Sequence, residues 1–527
     1  MERMGDLSAR RANISTCRCA SIWYLGELGF WINLCGYEAL ESEPLKILLH
    51  GLNFSPEEIG IGKYSGEMVS ALAEAGHEVV VVTTPPYYPQ WAILPGFSGL
   101  SYRKEWQVAS GEQREQNTPP ETRDSSLATR GSVEVIRCPL WVPGKVTGLK
   151  RILHLASFGL SSIPAVLWKA ITFRPDVILT VEPAAMCMPT TWFASRLCGA
   201  KCWLHVQDFE IDAAFELGIL KQPLLKRLVL AAEGGLMRRF DRVSSISPNM
   251  LLKLIQKGVN EQRVVSFPNW VDCEAMKPLV WPGETAASAA ILGAQAGGAR
   301  DEAVRSKVWD DLHRSPSGGD KRGDIDCLRE SFAIPSGKCV ALYSGNMGAK
   351  QGLELIVEAA RRTVDNTHLH YVLCGTGASF QAMAQACENL PNVQMLPLQP
   401  FERFNSLMNC ADIHLLPQRA GAADLVMPSK LTGMLATGRP VVACADPGTQ
   451  ISDVVQGHGV VVKPDDASGF THAIEELAHD SQRRVVLGMA ARRYALDFLG
   501  HDAILGNFVA DLEELVGGAS QYEYELS

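Results

Sequence analysis

Residues 45–83 have the sequence LKILLHGLNFSPEEIGIGKYSGEMVSALAEAGHEVVVVT. The segment opens with an apolar run of strand length, continues through the glycine loop GIGKYSG and a helical pattern, and ends in a second apolar run at 78–83. Met68 and Leu72 fall on one face of the predicted helix. Strand, glycine loop, helix and strand make up a βαβ unit, so this stretch predicts a parallel α/β sheet.

The same alternation continues on both sides of a long interruption. Further strands are predicted at 176–180, 201–206, 242–245 and 264–267, and then at 339–343, 370–374, 393–396, 413–416, 440–443 and 460–462. Two such series predict two Rossmann-like, doubly wound domains facing a central cleft. Ligands of such sheets bind beyond the carboxyl ends of the strands.

Composition indicates the domain boundaries. Residues 1–44 are expected to be an appended N-terminal extension, with disorder as one option, residues 45–272 the N-terminal domain and residues 337–500 the C-terminal domain. The polar stretch at about 109–131 predicts a loop insertion. The segment 277–336 includes an Ala/Gly-rich run and predicts a flexible insertion and linker.

Charge and cysteine content narrow the function classes. A formal net charge of -9 argues against non-specific nucleic-acid binding, because a phosphate backbone needs a basic face. None of the 14 cysteines forms a CxxC pair. Neither a zinc site nor a disulfide framework is predicted, and reduced, mostly buried thiols of a cytoplasmic protein are expected.

Two apolar stretches raise the question of membrane contact. Residues 20–40 contain Glu27 and have no clear cleavage site, which argues against a signal peptide or a membrane span. Residues 152–168 contain no charged side chain and follow a basic pair that includes Lys150. The stretch is slightly short to span, and Pro164 is expected to interrupt a helix. A buried helix and an interfacial helix that dips into a membrane remain as alternatives.

The first glycine loop contains Gly60, Gly62 and Lys63. It matches neither the GxGxxG dinucleotide fingerprint nor the phosphate-binding P-loop pattern. The glycines predict that the backbone closely approaches another group just before a helix N-terminus. A tight structural turn and a ligand contact explain this loop equally well.

The second loop, SGNMGAKQG, places Asn346, Lys350 and Gln351 at a predicted helix N-terminus. Backbone N–H groups there can hold a phosphate, and a lysine can neutralise it. Gly375 and Gly377 follow the next strand, so they are expected beside this loop, where a base or ribose can bind.

A third region, 418–440, has a polar loop with Asp424 and then a helix predicted to begin near Pro428. Ser429 and Lys430 fall in its first turn. A lysine is unfavourable beside the positive end of a helix unless an anion is present, so this position predicts a diphosphate site. A solvent-facing lysine is the alternative.

His205 and Asp208 lie at the end of a predicted buried strand, in WLHVQDFEID. A histidine followed closely by an aspartate at the carboxyl end of a strand is well placed for chemistry in the cleft. A lone histidine on a strand is more often a satisfied core residue, and that alternative stays open.

Taken together, the motifs resemble the family-4 retaining GT-B glycosyltransferases, most closely the colanic-acid-biosynthesis fucosyltransferase-like subgroup. The resemblance rests on TTPPYYPQW, LKRILHLASF, HVQDFEIDA, YSGNMGAKQGLE and GAADLVMPSKLTGMLATG, and it extends over residues 46–516 apart from the two insertions. It implies a donor nucleotide in the C-terminal domain and an acceptor toward the N-terminal domain. It also implies that a final helix at 503–516, within the segment 501–527, crosses back onto the N-terminal domain.

The motifs and the resemblance give a set of predicted site residues. They are His205, Asp208 and Asp424 for catalysis, and Gly60, Gly62, Lys63, Asn346, Lys350, Gln351, Gly375, Gly377, Ser429 and Lys430 for donor binding.

The sequence departs from the broader family at one point. Many members carry two glutamates separated by seven residues, and the corresponding positions here hold Leu425 and Gly433. No glutamate nucleophile is therefore assigned. The chemistry is expected to rest on electrostatic stabilisation of the departing diphosphate by Lys350, Lys430 and helix N-termini, without a metal or other cofactor.

The predicted function is transfer of a hexose, with fucose as one candidate, from a nucleotide-diphosphate sugar to a lipid-linked saccharide, with retained configuration. The product is expected to be an exopolysaccharide or cell-surface glycan, and the protein to be cytoplasmic, touching the inner face of the plasma membrane through residues 150–169. A catalytically silent nucleotide-sugar-binding or scaffold protein is the main alternative, and a nucleotide-sugar epimerase is another. A nucleotide-dependent oxidoreductase is disfavoured because the GxGxxG fingerprint is missing.

Overall fold

The computed structural model describes residues 23–25, 31–33, 43–57, 60–108, 132–144, 148–183, 185–209, 211–212, 222–279, 321–348, 351–419 and 429–523. Residues 1–44 form a unit separate from residues 45–527. In the former, strands β1 (Trp23–Leu25) and β2 (Trp31–Asn33) pair antiparallel. The predicted insertion at 109–131 and most of the predicted one at 277–336 lie outside the described residues.

Eight strands form the first large sheet. They are β3 (Lys46–Gly51), β4 (Glu78–Thr83), β5 (Arg103–Val108), β6 (Ser132–Arg137), β7 (Val177–Glu182), β8 (Lys201–Val206), β9 (Arg242–Ser245) and β10 (Val264–Ser266). Their order is β10-β9-β8-β7-β3-β4-β6-β5, and all neighbours are parallel except β5 and β6. The apolar strands β3, β4 and β7 are buried on both faces, because helices cover both sides of such a sheet.

The described α-helices of this domain are α1 (Ile61–Glu74), α2 (Gly148–Thr172), α3 (Met188–Cys198), α4 (Pro223–Met237) and α5 (Pro248–Gln256).

Helix α2 continues through Pro164, so the predicted interruption there is wrong. A proline inside a helix removes one backbone hydrogen bond and normally destabilises the helix. Phe158 before the proline and Val166 after it are both fully buried in one hydrophobic cluster with strands β3 and β4. Packing on both sides of the proline therefore holds the helix together.

Six parallel strands form the second sheet, in the order β13-β12-β11-β14-β15-β16. They are β11 (Cys339–Asn346), β12 (Leu369–Thr376), β13 (Val393–Pro397), β14 (Ile413–Leu416), β15 (Val441–Cys444) and β16 (Gly459–Val462). The remaining helices are α6 (Lys321–Glu330), α7 (Glu354–Arg362), α8 (Phe380–Cys387), α9 (Phe401–Asn409), α10 (Ser429–Ala436), α11 (Gln450–Val455), α12 (Ala467–His479), α13 (Ser481–Phe498) and α14 (His501–Glu523).

Helix α6 lies inside the stretch predicted as a flexible linker. Its Arg329 is almost fully buried and forms a salt bridge of 2.7 Å with Asp412, while also donating hydrogen bonds to the Cys410 carbonyl oxygen. A buried charge needs such partners, and they tie the helix to the edge of the second sheet. The end of the predicted linker is therefore ordered and belongs to the second domain.

Helix α14 returns to the first domain. Phe508 stacks on Phe267 with ring centroids 4.2 Å apart and meets Trp203 edge to face. In both large sheets the strands are covered by helices. The prediction of two doubly wound parallel sheets is therefore confirmed.

Candidate active site

The donor-side loops begin where the neighbouring strands β11 and β12 end. Gly345 and Gly375 are register partners, and a Cβ atom on Gly375 would lie 1.9 Å from the Gly345 carbonyl oxygen. No side chain fits there. The sequence thus produces a smooth backbone surface at the carboxyl edge of the sheet, which suits the close approach of a flat or phosphorylated ligand.

The polar residues of the second glycine loop lie around this surface. Asn346 is exposed, and its Oδ1 atom lies 2.5 Å from the place that a Cβ atom on Gly377 would take. Gln351 turns back to accept a hydrogen bond of 3.1 Å from the Gly348 amide. The structure therefore brings the predicted residues Asn346, Gln351, Gly375 and Gly377 into one small area.

Lys430 reaches the same area from the first turn of α10. Its Nζ atom donates a hydrogen bond of 3.0 Å to the Tyr343 hydroxyl, lies 4.6 Å from the centroid of that ring, and would lie 3.4 Å from a Cβ atom on Gly345. Tyr343 in turn donates to the Asn346 carbonyl oxygen at 2.6 Å. Burial lowers the pKa of Lys430 to about 8. A cation held with this little solvation is well placed to bind an anion.

The side chains of three other residues predicted for donor binding or catalysis are not described by the structure. Ser429 is the first residue of α10, and nothing is described of its side chain. Lys350 and Asp424 lie outside the described residues.

A pocket of about 190 Å³ lies at the carboxyl edge of the first sheet. Its walls come from the segments after β3, β4, β7 and β8 and from the first turns of α2. Gly60 and Asp208 line it, so two residues predicted separately from the sequence meet here. Asn53, Arg151 and His154 supply further polar groups to the lining.

His205 is not part of this lining, and the structure corrects the expectation that its side chain projects into the cleft. Its Nδ1 atom lies 2.9 Å from the Ser244 hydroxyl, and its ring packs on Phe267 with centroids 4.8 Å apart. The side chain is fully buried, and burial lowers its pKa to about 3. This is the geometry of a satisfied core histidine, while a catalytic role for it stays an untested prediction.

Gly62 and Lys63 have local partners. A Cβ atom on Gly62 would lie 2.5 Å from Cβ of Glu57, so the helix start packs directly on that buried side chain. Glu57 accepts hydrogen bonds from the amides of Tyr87 and Tyr88, at 2.9 and 3.0 Å, and thereby fixes the segment that forms one pocket wall. Lys63 pairs with Glu67 one turn further along α1, at 3.3 Å. Gly62 thus lies in the first turn of α1 in close contact with Glu57, and its predicted role in donor binding stays a prediction.

Helix α1 joins the pocket to the donor side. Gly60 and Ile61 line the pocket, and one turn later the Tyr64 side chain lies close enough to Thr432 of α10 to have its pKa lowered by it, although burial raises that pKa overall. Thr432 is two residues beyond Lys430. The first glycine loop thus lies between the two candidate subsites and touches both.

No role could be assigned from the sequence alone to five residues of the two subsites, Tyr343, Asn53, Trp91, Arg151 and His154. For all of them except Asn53 a signal was nevertheless present, because TTPPYYPQW, LKRILHLASF and the YSGNMGAKQG loop were among the stretches that carry the family resemblance. Separate strands and loops converge on the pocket only in three dimensions, so the linear sequence could not show which side chain lines it.

Within the described residues, no three His, Cys, Asp or Glu side chains form a group that could hold a metal ion. The predicted independence of metal is not tested by this arrangement and stays a prediction.

Two doubly wound domains, with glycine loops and a half-buried lysine in one and a largely apolar pocket with a few polar groups in the other, form the GT-B architecture. Residues 60–270 match the family model described as Glycosyl transferase 4-like domain, and residues 324–494 match that of Glycosyl transferases group 1. The chain belongs to this family of glycosyltransferases. It is 35% identical over 477 residues to the Escherichia coli (strain K12) protein WcaI, whose name assigns it to colanic acid biosynthesis as a glycosyl transferase. That alignment covers 89% of this chain and all of WcaI.

Solved structures with the same fold share little sequence with this chain. Sucrose-phosphate synthase from Thermosynechococcus elongatus has a TM-score of 0.57 at 15% identity, covering 91% of this chain and 99% of its own. Anabaena Alr3699/HepE, solved in complex with UDP and glucose, has a TM-score of 0.56 at 14% identity, covering 89% of this chain and 100% of its own. At these identities the likeness shows the fold alone.

Proposed function

We propose that this glycosyltransferase moves a hexose from a nucleotide-diphosphate sugar to a lipid-linked saccharide, with retained configuration and without a metal, in the synthesis of a cell-surface glycan. The relation to WcaI supports the glycan class, and fucose remains one candidate for the sugar. The complex of Alr3699/HepE with UDP and glucose supports a nucleotide-sugar donor on this fold.

The donor is assigned to the glycine loops of the second domain. A diphosphate next to Gly345 would lie within reach of Lys430 and of the amides at the start of the following helices. Burial has already removed water from the Lys430 ammonium group, so an anion that binds there does not have to displace it. The interaction between this lysine and a bound anion is therefore especially favourable. Departure of the nucleotide diphosphate is the step that this charge would stabilise.

The observation that carries the proposal is the placement of α1 between the two subsites. Gly60 lines the pocket of the first domain, while the Tyr64 side chain lies close to Thr432 of the donor-side helix α10. A sugar held at the donor loops and an acceptor in the pocket would therefore meet near one helix turn. Transfer requires this proximity of the two reactants.

The proposal includes retained configuration without a glutamate nucleophile. The second family position is Gly433, whose Cα faces Met276, and it offers no carboxylate. The mechanism that these residues support has the departing diphosphate held by lysine charge and the acceptor hydroxyl attacking from the same face. Metal independence is proposed on the same ground, because lysines can neutralise the diphosphate.

A lipid-linked acceptor fits the exposed surface of α2. The helix is long and apolar enough to cross a membrane by length and composition, and 28% of its most apolar window is buried in the protein. Leu160, Trp168 and Ile171 are more than half exposed, while Phe158 and Val166 on the opposite side are buried. We propose that this face rests on the cytoplasmic surface of the membrane that carries the acceptor lipid.

Donor turnover by the purified protein tests the phosphate assignment. Lys430→Ala and Lys350→Ala are each expected to lower turnover of the productive nucleotide sugar by about a hundredfold, the size of effect seen when a group that stabilises transition-state charge is removed. A chelator such as EDTA should leave wild-type turnover unchanged. If both variants turn over donor at the wild-type rate, the phosphate assignment is wrong.

The same preparation separates an enzyme from a silent binding protein. A panel of nucleotide sugars is screened for thermal stabilisation, since a ligand of the native state raises the midpoint of unfolding. The stabilising donor is then incubated with alkyl glycosides as soluble acceptors. Stabilisation without hydrolysis or transfer would favour the silent alternative, and a product with inverted configuration would refute retention.

A further inference from the structure

The first-domain pocket contains a histidine that none of the predicted roles uses. His154 comes from the first turns of α2 and lines the pocket, yet the residue as a whole is inaccessible to solvent. Its ring meets the ring of Tyr87 at a centroid distance of 4.8 Å and that of Trp91 at 5.3 Å. Both aromatic residues line the same pocket, so the imidazole is fixed in the pocket wall.

One ring nitrogen of His154 has a defined partner. Nδ1 lies 2.7 Å from the carbonyl oxygen of Trp141. A carbonyl oxygen can only accept, so Nδ1 must carry the hydrogen. Burial lowers the pKa of His154, the hydrogen bond with the Trp141 carbonyl oxygen raises it and nearby Arg151 lowers it, and the net lowering favours the neutral ring. In that tautomer Nε2 has a lone pair and is a hydrogen-bond acceptor.

That acceptor is unused within the part of the chain that the structure describes. Nε2 of His154 is buried and has no hydrogen-bond partner there. A buried polar atom without a partner costs about 1–3 kcal/mol. An unpaired buried atom of this kind calls for an explanation, and a ligand that supplies the missing partner is one. Pockets for small molecules typically combine aromatic walls with a few fixed polar groups, as this pocket does.

We propose that Nε2 of His154 accepts a hydrogen bond from a hydroxyl group of the acceptor saccharide, and that His154 thereby positions the acceptor for transfer. The inference rests on the proposed function, because it takes the pocket to be the acceptor site. A sugar hydroxyl is the matching donor, and the rings of Tyr87 and Trp91 bound the space that its pyranose ring would enter. The role needs no proton transfer and no change in the charge of the imidazole.

Two substitutions separate this role from a structural one. His154→Asn keeps an amide N–H near the position of Nδ1 for the Trp141 carbonyl oxygen but removes the acceptor at Nε2. His154→Gln extends an amide toward the position of Nε2. We expect the first variant to raise the KM for the acceptor about tenfold, corresponding to about 1.4 kcal/mol, and the second to recover part of that loss. The KM for the donor and the rate of donor hydrolysis should stay at the wild-type values in both.

His50 provides a matched control in the same domain. It is equally buried, but both of its ring nitrogens have partners, Thr191 at 3.0 Å and Ser162 at 2.9 Å, and it does not belong to the pocket lining. His50→Asn should lower thermal stability without a selective rise in the acceptor KM. If His50→Asn and His154→Asn change the kinetics in the same way, the effect on the acceptor is structural and the inference is overturned.

A binding measurement makes the result independent of transfer. The probes are octyl glucoside, octyl galactoside and octyl glucuronide, added to protein with isotopically labelled histidine nitrogens and followed by NMR, with the His154→Asn spectrum identifying the His154 signals. The inference expects a glycoside to shift the Nε2 signal toward that of a hydrogen-bonded nitrogen. One outcome would overturn the inference and leave the proposed function standing: sugar is transferred to a glycoside, the Nε2 signal does not move, and the KM for the acceptor is unchanged in His154→Asn. A moved signal without transfer of sugar would uphold the acceptor contact and refute the proposed transfer, whereas neither a shift nor transfer would refute both.

Discussion

At the scale of single residues, Lys430 combines a catalytically useful charge with an environment that disfavours it. Tyr343 provides one hydrogen bond and an aromatic face, but burial still lowers the pKa of the lysine to about 8. A bound diphosphate favours the charged form and raises this pKa again. Donor binding is therefore linked to proton uptake.

The linkage gives a pH prediction with a definite sign. Below the pKa of about 8 the lysine of the free protein is already charged, so nucleotide affinity should be constant. Above that pKa the lysine is neutral and takes up a proton when the nucleotide binds, so affinity should fall by up to about tenfold per pH unit. Titration calorimetry with UDP and GDP, in buffers of different ionisation enthalpy, measures both affinity and proton uptake. Lys430→Ala should abolish this dependence, and an equal pH dependence in wild type and variant would contradict it.

A second prediction concerns the glycine at the end of β12. Gly375→Ala places a methyl group where the Gly345 carbonyl oxygen already lies, 1.9 Å away, in backbone with φ of 157°. The strands must separate, and we expect a loss of about 1–3 kcal/mol in the free energy of unfolding together with weaker nucleotide binding. Urea unfolding and calorimetry measure the two effects.

Gly506→Ala is the matched control for that variant. Its Cβ atom meets no heavy atom within 4 Å, and it lies within helix α14. Alanine is the better helix former there and should raise stability by up to about 1 kcal/mol. Equal urea midpoints for the two variants would show that the contact between the two glycines does not hold the strands together.

The residues of the donor side could be predicted largely from local rules, and those of the acceptor side could not. Asn346, Gln351 and Lys430 were recognisable because each lies at the junction of a strand and the following helix, where the sequence alone defines the surroundings. His205 and His154 show the opposite case. Whether a histidine on a strand or helix faces core or pocket depends on packing with distant segments, Ser244 for one and Trp141 for the other.

At the scale of secondary-structure elements, helix α14 packs on the first domain although it follows the second domain in the chain. Phe508 is 2% exposed and stacks on Phe267, beside the buried Trp203. Replacing it with alanine should cost about 3–5 kcal/mol, because a large buried ring leaves a cavity that the sheet cannot close. The urea midpoint of the first domain measures this loss.

Phe498 offers a control at the end of the preceding helix. It is 45% exposed, so Phe498→Ala should change the midpoint by about 0.5 kcal/mol or less. Comparable midpoints for Phe498→Ala and Phe508→Ala would mean that α14 contributes little to the first domain.

Elements whose pattern is self-contained were predictable with their boundaries. Strands β4 and β8 begin and end where their apolar runs do, since a strand buried on both faces needs apolar residues throughout. The edge strand β5 and its neighbour β6 were missed, because RKEWQV and SVEVIR include charged residues. Arg137 of β6 is nevertheless buried, and it forms a salt bridge with Glu105 of β5. Helix α2 was missed as a single element because tertiary packing overrides the local effect of its proline.

At the scale of the whole molecule, α2 presents two different faces at once. Arg151 and His154 line the pocket, while Leu160 and Trp168, two and four turns further on, are exposed. Helix α3 packs beside it and exposes Phe193. A membrane lipid could thus anchor at the outer face while its saccharide reaches the pocket at the start of the same helix.

This arrangement predicts the effect of charge on the outer face of α2. The double substitution Leu160→Glu and Trp168→Glu places two carboxylates where the exposed side chains are 70% and 65% accessible, both away from the pocket lining. Full burial of one such side chain in lipid contributes about 1.5–3 kcal/mol, so co-sedimentation with anionic phospholipid vesicles should weaken at least about tenfold. Thermal stability and transfer to a soluble octyl glycoside should be unchanged, whereas transfer to an acceptor embedded in vesicles should fall with the binding.

Phe401 supplies the control for this last prediction. It lies in α9 of the second domain and is 57% exposed, so Phe401→Glu adds a charge to an exposed apolar position far along the chain from α2. Vesicle binding of this variant should equal that of the wild type, because Phe401 does not belong to the outer face of α2. A general effect of net charge would instead weaken the binding of both variants. If Phe401→Glu weakens vesicle binding as much as the α2 variant does, the attraction between protein and vesicle is an unspecific charge effect. If neither variant weakens it, α2 does not hold the enzyme at the membrane, and the lipid-linked acceptor must reach the pocket by another surface.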